Sequence, residues 1–175
     1  QALLEPISQA LRQSGVVDEQ QARAFVSALA LWMPGLLAAG FFVQLVLALF
    51  MGRWWQAKLY NPGGFRAEFH GLRLHQAVAL LALPLLAMSL VETEGGWQLI
   101  RYLGPLLLVA YFFQGLAVAH AVVANTGMHR SWLYGLYVLL LLAMGYTLLA
   151  LAALGYTDAW LDFRARFSRT GRNSD

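Results

Sequence analysis

Apolar residues fill this chain in long runs, and charged positions mark where each run ends. Residues 24–52 carry no charge, and the run AFVSALALWMPGLLAAGFFVQLVLALFMG exceeds the roughly 20 residues an α-helix needs to cross a hydrocarbon core of about 30 Å. A second window, 74–91, is shorter and holds His75, Gln76 and Pro84. Windows 102–129 and 131–157 are both long enough to span, and YVLLLLAMGYTLLALAAL is the most lipid-like stretch. None of these runs alternates as barrel strands do, and backbone inside lipid must satisfy its own hydrogen bonds. The pattern therefore predicts an all-α, polytopic transmembrane helical bundle with about four spans, near 27–51, 73–92, 99–124 and 132–155.

The flanks differ in kind. Over residues 1–26, Leu4, Ile7 and Leu11 fall at helical spacing, Gly15 is placed to stop that helix, and Asp18 with Gln21 reads as a capping box opening the next. Residues 53–72 read as an elbow. Asn61, Pro62, Gly63 and Gly64 form a tight turn, with Pro62 fixing its own φ and Gly63 supplying the positive φ of a type II turn. After it, Phe65, Phe69 and Leu72 share one face of a short amphipathic helix. Trp54, Trp55 and Tyr60 are interface-belt residues, and Arg53, Lys58 and Arg66 are placed to meet anionic lipid. The plain reading is an interfacial joint between spans, and the sharper one a docking surface for a partner subunit. Residues 156–175 predict an interfacial helix with a basic, solvated end: Thr157 or Asp158 as cap, Trp160, Phe163 and Phe167 on one face and Asp162 paired with Arg166, with Trp160, Phe163 and Arg164 as candidates for contact with lipid or a partner.

Composition narrows the chemistry. Only 12% of the residues are charged, against about 25% in soluble domains, while 59% are hydrophobic. The absence of cysteine removes disulfides, thiolate metal sites and thiol nucleophiles. No Asp, Glu, Lys or Arg falls at mid-depth in a predicted span, which argues against a proton pump, a voltage sensor or a carboxylate ion carrier. Counting Lys and Arg on the two predicted sides gives five against seven, which does not orient the bundle. The acidic Glu92 and Glu94 tilt the reading toward a cytoplasmic 53–73 loop. The basic residues are too few and too close to the membrane to suggest nucleic acid.

Polar side chains inside the spans are then the candidates for binding. They are Gln44, Tyr111, Gln114, His120 and Tyr146, with Gln114 the most central and adjacent to Gly115. The plain reading makes Gln44 and Gln114 interhelical hydrogen-bond contacts, supported by the small-residue pairs Gly115 with Ala119, Ala117 with Ala121, and Gly35 with Ala39. His70, His75, His120 and His129 fall toward one membrane face, but no HxxxH or HExxH spacing supports a metal site, so neither metal nor cofactor is expected. No GxSxG, P-loop or GxGxxG occurs, and a non-enzymatic protein is expected.

The strings GRWWQAKLYNPGGFRAEFHGLRL, LLLVAYFFQGLAVAHAVV and LGYTDAWLDFRARF resemble the YybS-like bacterial membrane proteins. The resemblance covers most of residues 50–167 and includes Arg53, Trp54, Trp55, Asn61, Pro62, Gly63, Gly64, Phe65, Gln114, Gly115, His120, Asp162, Phe163 and Arg164. It implies a distant similarity to the substrate-capture subunits of energy-coupling-factor transporters. The expectation is a multi-pass protein of the bacterial inner membrane, transporter-like, in contact with lipid and other membrane subunits, binding a small molecule or lipid near Gln114, His120, Tyr111 and Gln44. An accessory or scaffold subunit without a ligand is the alternative. Gln1 in place of Met, with no cleavable signal pattern, reads as part of a longer protein with spans ahead of residue 1.

Overall fold

The computed structural model describes residues 18–89 and 98–170, together with Pro6, Gln9 and Ala10. The predicted helix through Leu4, Ile7 and Leu11, the turn at 92–96 and the last five residues lie outside the described residues. Those described form helices joined by short turns, with no strand: α1 Glu19–Tyr60, α2 Gly64–His70, α3 Gln76–Ser89, α4 Gln98–Asn125, α5 Ser131–Leu142, α6 Met144–Leu161 and α7 Phe163–Thr170.

The start of α1 is set by the Asp18–Gln21 capping box. The Asp18 carboxylate accepts the Gln21 N–H at 2.7 Å, and the Gln21 side chain accepts the Asp18 N–H in return. The helix then runs for 42 residues, about 63 Å at 1.5 Å per residue. It passes through the predicted boundary at Gly52, because nothing in RWWQAKLY breaks a helix; only Asn61-Pro62-Gly63 does. Residues 53–60 of the predicted elbow are thus the end of α1. Gly63 has φ +91°, as the turn requires.

The fourth predicted span is two helices. At Ala143 the backbone leaves the helical region, with φ −131° and ψ 48°. The Thr147 hydroxyl donates to the carbonyls of Ala143 at 3.0 Å and Leu139 at 3.1 Å, each of which also accepts a backbone N–H, so that the break is bridged by a side chain. Helix α6 is pinned by six buried residues, whereas α5 has none.

Helix α4 is the axis of the fold, touching every other helix. Its crossing with α6 is backbone against backbone. A Cβ on Gly115 would collide with the Leu151 carbonyl, and one on Gly155 with the Tyr111 carbonyl. Against α1, a Cβ on Gly35 would lie 3.0 Å from the Tyr102 Cα, and Ala39 is buried one turn on. The core is accordingly small-residue packing, with Ala79, Ala82, Ala152 and Ala159 around Tyr111, and Ala39 and Val109 beside Phe113. The exterior carries the large apolar side chains, among them Phe41, Leu45, Leu49, Leu141 and Leu142. Such a surface suits hydrocarbon and not water. Helices α1 and α4 are long and apolar enough to cross a membrane, while α3 and α5 are shorter apolar helices.

Candidate functional site

Two polar assemblies occupy the same end of the bundle. The first is a buried latch where α6 meets α7. Asp158 is 1% exposed, and its Oδ1 accepts the Phe163 N–H at 3.1 Å. Asp162 takes the left-handed conformation, φ 45°, a region that Asp tolerates better than most residues, and accepts the Ala165 N–H. The two carboxylates stop α6 and restart the chain as α7. The predicted cap at Thr157 or Asp158 therefore moves to Asp162, because α6 continues to Leu161, and Thr157 donates back to Ala153.

Helix α7 in turn delivers Arg164 into the bundle. One guanidinium nitrogen donates to the His70 carbonyl at 2.5 Å, and the other to the Leu72 carbonyl at 2.6 Å while standing 3.3 Å from Asp158. Gln114, fully buried on α4, accepts the Leu74 N–H at 2.9 Å and reaches Asp158 at 3.5 Å. Arg73 donates to Asp162 at 2.5 Å. The non-helical stretch between α2 and α3 thus has backbone groups satisfied by side chains from α4 and α7, which an apolar setting demands. Burial lowers the Arg164 pKa, with Asp158 opposing, yet a guanidinium stays charged. Arg73 holds the Asp162 carboxyl below the usual range, as Arg53 does for Glu68.

The second assembly is a groove of about 1170 Å³ bounded by α1, α2, α4, the 127–130 turn and α5. Phe50 stands at its wall with Phe65, Phe69 and Phe113 edge-on around it, at centroid distances of 5.8, 5.4 and 5.7 Å. His120 lies on the α4 wall with the edge of Phe69 at 5.4 Å. Its Nδ1 is 2.8 Å from the Leu116 carbonyl, which only accepts, so Nδ1 carries the proton. Its Nε2 stands 3.1 Å from the Tyr137 hydroxyl, within hydrogen-bond distance. Lys58, Arg66 and Arg130 sit at the groove rim, with the Lys58 ammonium over the Trp54 ring. His70, also lining the groove, has its pKa lowered by burial and by Arg66, His120 and Arg164 nearby.

The expected site residues divide between these places. His120 lines the groove. Gln114 belongs to the latch, and Tyr111 lies in the core with its hydroxyl unpartnered. Gln44 faces outward on α1. Of the elbow, Trp54, Pro62, Gly63 and Phe65 line the groove; Arg53 pairs with Glu68, and Trp55 is exposed. Asn61 caps α1, and a Cβ on Gly64 would strike its side chain. In the tail, Arg164 is in the latch, Trp160 is half exposed, and Phe163 lines a second, apolar cavity of about 660 Å³ beside Phe167 and Trp132. His75 and His129 cap local backbone or side chains, and no three His, Asp or Glu among the described residues converge as metal ligands.

Sequence reasoning missed Asp158 as the buried anchor, since its partners lie 44 positions away at Gln114 and across a helix break at Arg164. Gly155 was also missed, although Gly155 and Ala159 repeat the small-residue spacing that Gly115 and Ala119 display.

The sequence signature of DUF2232, described as a predicted membrane protein, matches residues 1–159. The chain belongs to that family. Membership accords with the apolar exterior and with the two helices of membrane-crossing length, and together they associate this DUF2232 protein with a membrane. No curated protein matches the chain, and no solved structure matches it.

Proposed function

We propose that the protein is a multi-pass subunit of a bacterial inner membrane that holds an amphiphilic small molecule or lipid in the groove between α1, α2, α4 and α5. The observation carrying this reading is the groove itself: an aromatic, apolar trough with His70 and the His120–Tyr137 pair in its wall and cations at its rim. Its volume of about 1170 Å³ exceeds the roughly 300–1,000 Å³ ordinary for drug-sized ligands. The YybS-like resemblance supports a transporter-like role, in which the occupant passes to a partner subunit. Gln114 acts from behind the site, fixing the 70–74 stretch that carries one wall.

The test is mass spectrometry of lipids and metabolites carried through purification. The wild-type protein retains a stoichiometric amphiphile that Leu116→Trp and Leu133→Trp, which fill the groove, lose. Identical extracts from wild type and both variants would remove the reading.

The accessory-subunit reading draws on α5, an apolar helix without a buried residue. A partner helix over Tyr134 and Leu141 would cover it, and crosslinking from Tyr134 in native membranes would capture that partner.

A further inference from the structure

The charged residues near the groove are not distributed evenly between paired and unpaired. Arg53 is matched by Glu68, Arg73 by Asp162, and Arg164 by Asp158. Lys58, Arg66 and Arg130 meet no carboxylate among the described residues, and all three line the one groove. They come from three separate elements: the end of α1, helix α2, and the residue before α5. Three cations thus line one largely apolar trough, and none has a carboxylate among the described residues to balance it. A bound anion balances them.

Resting on the amphiphile reading above, we infer that the occupant is an anionic lipid, its phosphate headgroup among Lys58, Arg66 and Arg130 and its chains along Phe50, Phe113 and Leu140. The trough requires the apolar part, because its interior offers little but aromatic and aliphatic surface around the already satisfied His120–Tyr137 pair. The rim selects the headgroup. Guanidinium groups match phosphate oxygens in a bidentate fashion, and the Lys58 ammonium, held over Trp54, adds a point charge to the same lining.

The experiment uses the full chain in mixed micelles containing equal amounts of phosphatidylglycerol and phosphatidylcholine, read by native mass spectrometry. Wild type retains phosphatidylglycerol preferentially. The triple variant K58Q/R66Q/R130Q loses that preference by about fivefold per charge, roughly a hundredfold in all, while its helical circular dichroism is unchanged. Arg23→Gln, at the far end of α1, keeps it. Glycerol 3-phosphate, which has the headgroup charge without chains, does not displace the lipid.

Equal retention of the two lipids, or a triple variant as selective as wild type, would overturn the inference while leaving the amphiphile reading standing if Leu133→Trp still empties the groove. Displacement by glycerol 3-phosphate would overturn it in favour of a soluble phosphate ligand. Retention of neither lipid by wild type would overturn the inference, and the amphiphile reading would then be decided by whether the extracts of wild type and Leu133→Trp differ.

Discussion

At the scale of single residues, the decisive contact is Arg164 against Asp158. The Asp158 side chain is wholly screened and that of Arg164 is 11% exposed, so neither charge has water to fall back on. Arg164→Met leaves the buried Asp158 with only the more distant Arg73, at 4.0 Å, as counter-charge and frees the carbonyls of His70 and Leu72. Removing one partner of a buried pair costs about 3–5 kcal/mol. Unfolding of the purified protein by sodium dodecyl sulfate should therefore begin at a much lower detergent fraction in Arg164→Met, with the double variant Asp158→Asn/Arg164→Met recovering part of the loss. Equal midpoints for Arg164→Met and wild type would show that the pair contributes nothing. The prominence of Gln114 was legible in the sequence because a lone amide stands out in an apolar helix. The meaning of Asp158 was not, since an acidic residue at the end of an apolar run looks the same whether it caps a helix in water or anchors an arginine indoors.

At the scale of elements, the packing of α4 on α6 depends on two residues without side chains. Gly155→Ala puts a methyl group into the Tyr111 carbonyl and must push the helices apart, at about 1–3 kcal/mol. Gly52→Ala, in open space on α1, removes a helix-weakening glycine and should raise stability by up to about 1 kcal/mol. Thermal denaturation monitored by circular dichroism should move the two variants in opposite directions, and a Gly155→Ala protein as stable as wild type would contradict the crossing. The turn at Asn61-Pro62-Gly63 was readable in advance because its chemistry is local: φ is dictated by the residue itself. The break at Ala143 was not. It lies in an unbroken apolar stretch with no periodicity to interrupt, and the Thr147 hydroxyl that adds a second bond to the Ala143 and Leu139 carbonyls looks like an ordinary helical threonine in the sequence.

At the scale of the whole molecule, acid should loosen the fold in two steps. The pKa of His70 is lowered by burial, that of Asp162 by Arg73, and that of Glu68 by Arg53. In each case the folded chain binds fewer protons than the unfolded one, so the contribution is complete above the unfolded pKa and is lost as pH falls through the folded value. The His70 step begins below about 6.5, and the carboxylate step below about 4. The melting temperature in detergent should hold between about pH 8 and 7 and then decline in these two stages, with His70→Gln abolishing the first. A melting temperature that climbs between about pH 7 and 5 would refute the assignment. What binds the molecule together was only partly legible from the chain, because small-residue seams and buried polar links reveal themselves only when distant segments meet.

The latch also carries a consequence for biogenesis. It joins His70, Leu72 and Arg73 to residues some 90 positions later, with separations of 94, 92 and 89. During synthesis at roughly 5–20 residues per second, the stretch before α3 leaves the ribosome many seconds ahead of Arg164. Until then its carbonyls have no arginine and its carboxylate partner has not been made. The groove wall formed by α2 therefore gains its arginine contacts only once α7 has been made, and an occupant of the proposed site would meet that wall before it is pinned.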